Sequence, residues 1–301
     1  MSENIKKSAQ NDENEELARK NFNKMKILDA LSTFVVSLVI FALAYGVLLK
    51  YIGALALIGA CAFSIVSVFL MMRLTGLKVR SVLKFSSPTK AETFGAALLL
   101  GAAMIISVPP ILFSQLLAPR LAETSFNIYT IAGGKHGVLV AILIVLAVAV
   151  CENLLFDGYI YSRLNAVQSV ALRAASIALM ASIMRFDVYS FSSVFIASIA
   201  AFAARRETGS LTLSLVIRLF LVSFITATSA LSSSAGELVG EAMGFVQILG
   251  LTFIFVGIAL PIILLAFYLF GRFRQNIKIA GFLIGVLSIV LIAAGCGASS
   301  L

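Results

Sequence analysis

The chain has 301 residues, of which 60% are hydrophobic and 12% charged, with a net charge of +9 and a mean hydropathy of +1.05. Soluble globular domains carry about 25% charged residues, so this composition excludes a water-soluble enzyme or binding module. The basic residues sit in short clusters between apolar runs of about 20 residues, an arrangement that reads membrane topology and not nucleic acid.

The first 26 residues are polar and mixed in charge, from Lys6 and Lys7 through Asp12, Glu13, Glu15 and Glu16 to Lys24 and Lys26. The apolar core follows too late for a cleaved secretory leader. Residues 1–26 are therefore expected to form a cytoplasmic tail, disordered at its start and helical along ELARKNFNKMKILDAL, ahead of a transmembrane domain over 27–301. Nine spans can be drawn, at 30–49, 53–72, 94–117, 137–157, 167–184, 188–204, 210–231, 244–270 and 279–298. Eight spans with one re-entrant helix fit almost as well. The expected fold is thus an all-α polytopic membrane helix bundle. In the third span, Pro109-Pro110 is expected to kink or break the helix.

The distribution of basic residues tests this segmentation. With the N-terminus inside, the inner segments hold 18 of the 23 basic residues, including Arg73, Lys78, Arg80, Lys84 and Lys90 in one connector. That connector, Arg73 to Lys90, reads as lying along the headgroup layer, with recognition of an acidic partner as the alternative. Cys61, Cys151 and Cys296 lie in apolar surroundings without a C-x-x-C pair and read as buried small hydrophobes. The lone histidine, His136, excludes a site that needs two imidazoles, and it reads as an exposed loop residue about 24 Å along a helix from Glu152. No metal and no cofactor is expected.

Ionisable residues inside a span cost about 2.5–3.5 kcal/mol on insertion scales and mark cavities or partners. Glu152, Asp157, Arg185 or its neighbour Asp187, and Arg218 qualify. On a regular helix Glu152 and Asp157 are about 140° apart, which argues against a carboxylate dyad. Glu152 with Arg218 is the first expected ion pair, and Asp157 with Arg185 or Arg163 the second. The segmentation puts Arg185 near the outer surface, away from the acids.

The stretch ENLLFDGYIYSRL (Glu152 to Leu164) resembles the first motif of the CAAX prenyl protease and bacteriocin-processing family, E-E-x-x-x-R. Downstream, ETGSLTLSLVIRLFLVS resembles the third motif region, and ALMASIMRF stands where the F-x-x-x-H motif belongs. The resemblance covers roughly Gly137 to Leu231. It implies a prenyl-protease-like core in a bacterial plasma membrane, with a glutamate and histidines activating water in a cavity open to the cytosol. The residues depart from that pattern. Glu152, Phe156 and Gly158 fit, but Asn153 replaces the second Glu and Asp157 the Arg. The histidine positions fall on Arg185 (or Met184 or Phe186) and on Arg218, and Val222 replaces the Asn. Arginine cannot replace histidine as acid, base or metal ligand, because it stays protonated and offers only donors.

Three functions follow as expectations. The first is a pseudoprotease that binds or scaffolds a membrane or cell-envelope protein or peptide, as an immunity factor would. The second is a glutamate-dependent intramembrane endopeptidase with Glu152 as its catalytic residue. The third is a small-solute transporter, suggested by the buried charges and the broken third span. The bilayer is the common partner in all three, and nucleic acid is not expected.

Overall fold

A computed structural model describes residues 2–117, 137–185, 190–224, 244–271 and 277–299. His136 and Asp187 lie outside the described residues. Helices stand at all nine expected spans, and the segments long enough to cross a membrane are strongly apolar, as a bilayer core demands. Helix α1 is Ser2–Ile52, α2 Ala56–Leu74 and α4 Lys90–Leu117, with the one-turn α3, Val79–Val82, between the last two. Helix α5 is Gly137–Leu164, α6 Val170–Met184, α7 Phe191–Thr208 and α8 Leu211–Phe224. Helices α9, Phe245–Leu269, and α10, Ile277–Ser299, complete the described chain.

Six of these are long and apolar enough to cross a membrane: α1 from Asn21, α2, α4, α5, α9 and α10 from Ile279. Apart from the one-turn α3, the other three are shorter or more polar. Helix α6 has 15 residues, α8 runs only from Leu211 to Phe224, and α7 ends on Arg205-Arg206-Glu207-Thr208. The protein is therefore an all-α polytopic membrane bundle, with three abbreviated helices gathered in its middle.

Two sequence expectations change. Helix α1 begins at Ser2, so the polar lead-in continues into the first span as one helix where disorder is expected. Helix α4 runs unbroken through Pro109 and Pro110. Each proline lacks one backbone donor, which removes the bonds to the carbonyls of Ile105 and Ile106, and the helix continues through this gap packed against its neighbours.

Two apolar clusters organise the interior. One joins Phe34 and Phe41 of α1, Cys61, Val68 and Met72 of α2, and Ile144, Leu155 and Phe156 of α5. The other joins Ala96, Leu99 and Ala103 of α4 to the alanine face of α7 and to Leu213, Ile217 and Leu221 of α8. Helix α8 lies between them, because Leu215, Leu219 and Val222 pack on the first cluster. Its remaining face, Leu211, Ser214 and Arg218 at helical spacing, carries its polar groups and turns toward α5. Cys61 and Cys151 are buried, but Cys296 is exposed on α10, contrary to the sequence reading, because the outer face of this terminal helix is unpacked.

Helices α9 and α10 approach through glycine. A methyl group on Gly250 would lie 2.7 Å from the Gly295 carbonyl oxygen, and one on Gly295 2.5 Å from the Gly250 carbonyl oxygen. Small residues that let backbones touch are the usual adhesive between membrane helices. Gly295→Val is therefore expected to destabilise the protein by about 1–3 kcal/mol through overpacking. Gly285→Ala, which meets nothing within 4 Å, is expected to melt like the wild type. Thermal unfolding of the purified chain in detergent checks both.

Candidate functional site

The site begins with a departure in α5. After Glu152 the backbone leaves α-helical bonding, and Asn153–Ile160 (NLLFDGYI) is π-helical. Bonding from i to i+5 places more residues in each turn, so positions five apart come nearly above one another. That rare winding overturns the expectation that Glu152 and Asp157 diverge. Both carboxylates point to one partner on α8.

The partner is Arg218, buried to 1% exposure. Its guanidinium grips Asp157 with two parallel bonds, Nε to Oδ2 and Nη2 to Oδ1, the latter at 3.1 Å. Its third nitrogen, Nη1, reaches Glu152 Oε2 at 3.3 Å and the hydroxyl of Ser198 on α7 at 3.4 Å. The Phe156 ring closes one side, with its centroid 5.6 Å from the guanidinium carbon. A planar fork with five donors suits this bridging role; a lysine would supply one point charge.

Glu152 has a second cationic partner. Arg185, at the end of α6, donates from Nε to Glu152 Oε1 at 2.5 Å. The sequence places Arg185 at the outer surface, and the short α6 is what corrects this. Glu152 stands 12 residues before the end of α5 at Leu164, and Arg185 follows the 15 residues of α6. At 1.5 Å per residue the two lie about 18 and 22 Å from the shared turn, within one helical turn of each other. Two acids and two arginines thus form one internally neutral group. The other expected partner for Asp157, Arg163, pairs instead with Asp29 of α1 at 3.4 Å.

The remaining motif positions are structural. Asn153 donates from Nδ2 to the Leu211 carbonyl at 3.3 Å and accepts from the Ser214 hydroxyl at 2.7 Å, which fastens α5 to the start of α8. Gly158 sits where a methyl group would come 2.9 Å from Leu83, so the connector before α4 packs on α5 there. Val222 is buried in the apolar cluster. Sequence reasoning did not single out Ser198, Ser214 or Arg205. The spacing of Leu211, Ser214 and Arg218 along one helix face is the signal that points to Ser214. Arg205 is tied to backbone carbonyls, those of Val82 at 3.2 Å and of Gly209, and it supports the α7–α8 corner.

Each oxygen of Glu152 accepts a charge-assisted bond from a guanidinium, which fixes the carboxylate in place and uses one of the two lone pairs on each oxygen. Among the described residues no group of three His, Cys, Asp or Glu is arranged to hold a metal ion. One unsatisfied donor stands out: Arg185 Nη2 is buried with no hydrogen-bond partner among the described residues, although its side chain is 19% exposed overall.

This geometry predicts an asymmetry in stability. Arg218→Met leaves Asp157 buried without its cation and is expected to cost about 3–5 kcal/mol. The double variant Asp157→Leu/Arg218→Met removes both charges of the bidentate pair and is expected to recover most of that loss. Unfolding midpoints of the two variants in one detergent decide it. Equal midpoints for Arg218→Met and wild type would mean the pair does not hold the bundle together.

Residues 134–224 match the family model described as Type II CAAX prenyl endopeptidase Rce1-like. That stretch holds Glu152, Asp157, Arg185 and Arg218, all four charged members of the site. No curated protein and no solved structure is matched by the chain. The protein is thus a polytopic helical membrane protein whose residues 134–224 are Rce1-like, consistent with the CAAX prenyl protease and bacteriocin-processing family that its motifs resemble.

Proposed function

We propose that the protein is a pseudoprotease, which keeps the frame of a prenyl-protease-like core and acts by binding or scaffolding a membrane or cell-envelope partner in the manner of an immunity factor. The observation that carries this reading is Arg218. It stands where the resemblance requires a histidine, and it bonds to both Asp157 and Glu152. A positioned general base or acid contributes typically 10²–10⁴-fold to rate, and a guanidinium that never deprotonates contributes nothing in that role. The network instead fixes the register of α5, α6 and α8. The Nη2 donor of Arg185, which has no partner among the described residues, is a place for a carbonyl or carboxylate of a bound chain.

A second reading, an active glutamate-dependent endopeptidase for peptides or prenylated-type substrates, is favoured by one observation. Glu152 keeps the first motif position and is buried at the heart of the Rce1-like segment. Under this reading Arg185 and Arg218 would orient the carboxylate and stabilise charge on a substrate carbonyl, as arginine clamps do.

Comparison of membrane proteomes and released peptides, with wild type against Glu152→Ala at equal abundance, separates the two. The expected outcome is an unchanged set of cleavage products, with altered abundance or co-purification of one membrane protein. In parallel, the purified chain in proteoliposomes is expected to leave prenylated and unprenylated peptides intact. Cleavage that disappears with Glu152→Gln would overturn the pseudoprotease reading.

A further inference from the structure

The connector between α2 and α4 carries the strongest charge on the described surface outside the site. From Arg73 to Lys90 it holds five cations and no acid. Arg73, Lys78, Arg80, Lys84 and Lys90 are all exposed, and none forms an ion pair among the described residues. The first acid beyond it, Glu92, is occupied as a cap, accepting from the Thr89 backbone N–H at 2.7 Å and hydroxyl at 2.9 Å.

This segment is held, which distinguishes it from a loose basic loop. Helix α2 ends with the Leu77 N–H bonded to the Met72 carbonyl at 2.9 Å and the Gly76 N–H to the Arg73 carbonyl at 3.2 Å. Gly76 takes the left-handed conformation, φ +67°, that this reversal needs. Further on, the Val82 carbonyl accepts from Arg205, the Lys84 carbonyl from the Leu211 N–H at 2.9 Å, and the Ser86 carbonyl from the Ser210 hydroxyl at 2.9 Å. The backbone therefore faces the bundle and the cations face out. Leu74 and Phe85 project beside them, 70% and 59% exposed. Cations alternating with exposed apolar side chains, at the end of a membrane helix, match the boundary between headgroup and acyl chain.

We infer that the Arg73–Lys90 connector is a binding face for the headgroups of anionic phospholipids. The phosphates pair with the five cations while Leu74 and Phe85 enter the acyl layer. Polybasic juxtamembrane segments gain about five-fold in affinity for an anionic surface with each basic residue, and the gain falls within a Debye length. The bound headgroups would lie against the connector whose carbonyls hold the α7–α8 corner, one turn from Asn153 and its partner Ser214.

The test uses the full chain purified in a mild detergent and incubated with equal amounts of phosphatidylglycerol and phosphatidylcholine. Lipid retained after washing is quantified by mass spectrometry. The expected result is retention of phosphatidylglycerol at least ten-fold above phosphatidylcholine, weakened in high salt. The Arg80→Gln/Lys84→Gln variant should lose about five-fold for each cation removed. Lys50→Gln, an exposed cation at the opposite end of α1, should behave as wild type. A second arm adds inorganic phosphate or an acidic peptide as competitor, neither of which should displace the lipid at millimolar concentration. Equal retention of the two lipids would overturn the inference. So would wild-type retention by Arg80→Gln/Lys84→Gln, or displacement by either competitor. Because the variant changes only exposed side chains, its elution as a monodisperse species keeps the comparison valid.

Discussion

Arg218 and the two carboxylates it holds set the terms for the centre of the molecule. A guanidinium buried to 1% exposure cannot lose its proton, so it must be surrounded by acceptors or leave the bilayer. Asp157 and Glu152 supply those acceptors, Ser198 adds a hydroxyl, and the Phe156 ring covers the remaining side. For both acids to reach one arginine, the helix that bears them has to be rewound from Asn153 to Ile160. The π-helical segment and the ion network therefore require each other. Regular α-helical winding would strand one acid, and without Arg218 the rewinding would bring two negative charges together.

The same constraint accounts for the shortened helices. Helix α6 stops at Met184, which delivers Arg185 to the level of Glu152 and not to the membrane surface. Helix α8 spans only Leu211 to Phe224, with three sides committed and Val216 and Phe220 facing out. Two apolar faces pack on the two core clusters, and the third presents Ser214 and Arg218 to α5. Of the six longer helices α5 is the most buried and belongs to the group itself, whereas α10, packed on α9, is the least buried, as a lipid-facing helix is.

These features change how the family resemblance is read. Hydrolysis of the kind the resemblance implies would use the glutamate together with histidines that move protons. Here the retained glutamate is enclosed by two cations, and the positions expected to bear histidine bear arginine. Motif order survives while the chemistry of the side chains is inverted, because Asp157 now faces Arg218 where the resemblance places an arginine and a histidine. The frame alone does not carry a reaction, since function resides in the site and not in the fold.

Much of this was legible from residues alone. Composition and periodicity specified an all-α membrane bundle, because backbone in hydrocarbon must bond to itself and long apolar runs leave only helices. The cost of burying charge marked Glu152, Asp157 and Arg218 as interior and named Glu152 with Arg218 as a pair, while the segmentation put Arg185 near the outer surface, away from the acids. The identity of the remaining partners was not available there. Whether Asp157 shares an arginine with Glu152 depends on helical winding between them, and no residue in NLLFDGYI announces a π-helix. Whether Arg185 reaches Glu152 depends on how short α6 is and how it packs against α5, which hydropathy cannot measure. Arg163, equally basic and far closer in sequence to Asp157 than Arg218 is, turns to Asp29 because α1 lies beside it. Sequence sets which groups cannot be left unpaired, since that is a property of each side chain in its solvent. Only the tertiary structure decides which group meets which, since that is a property of distance.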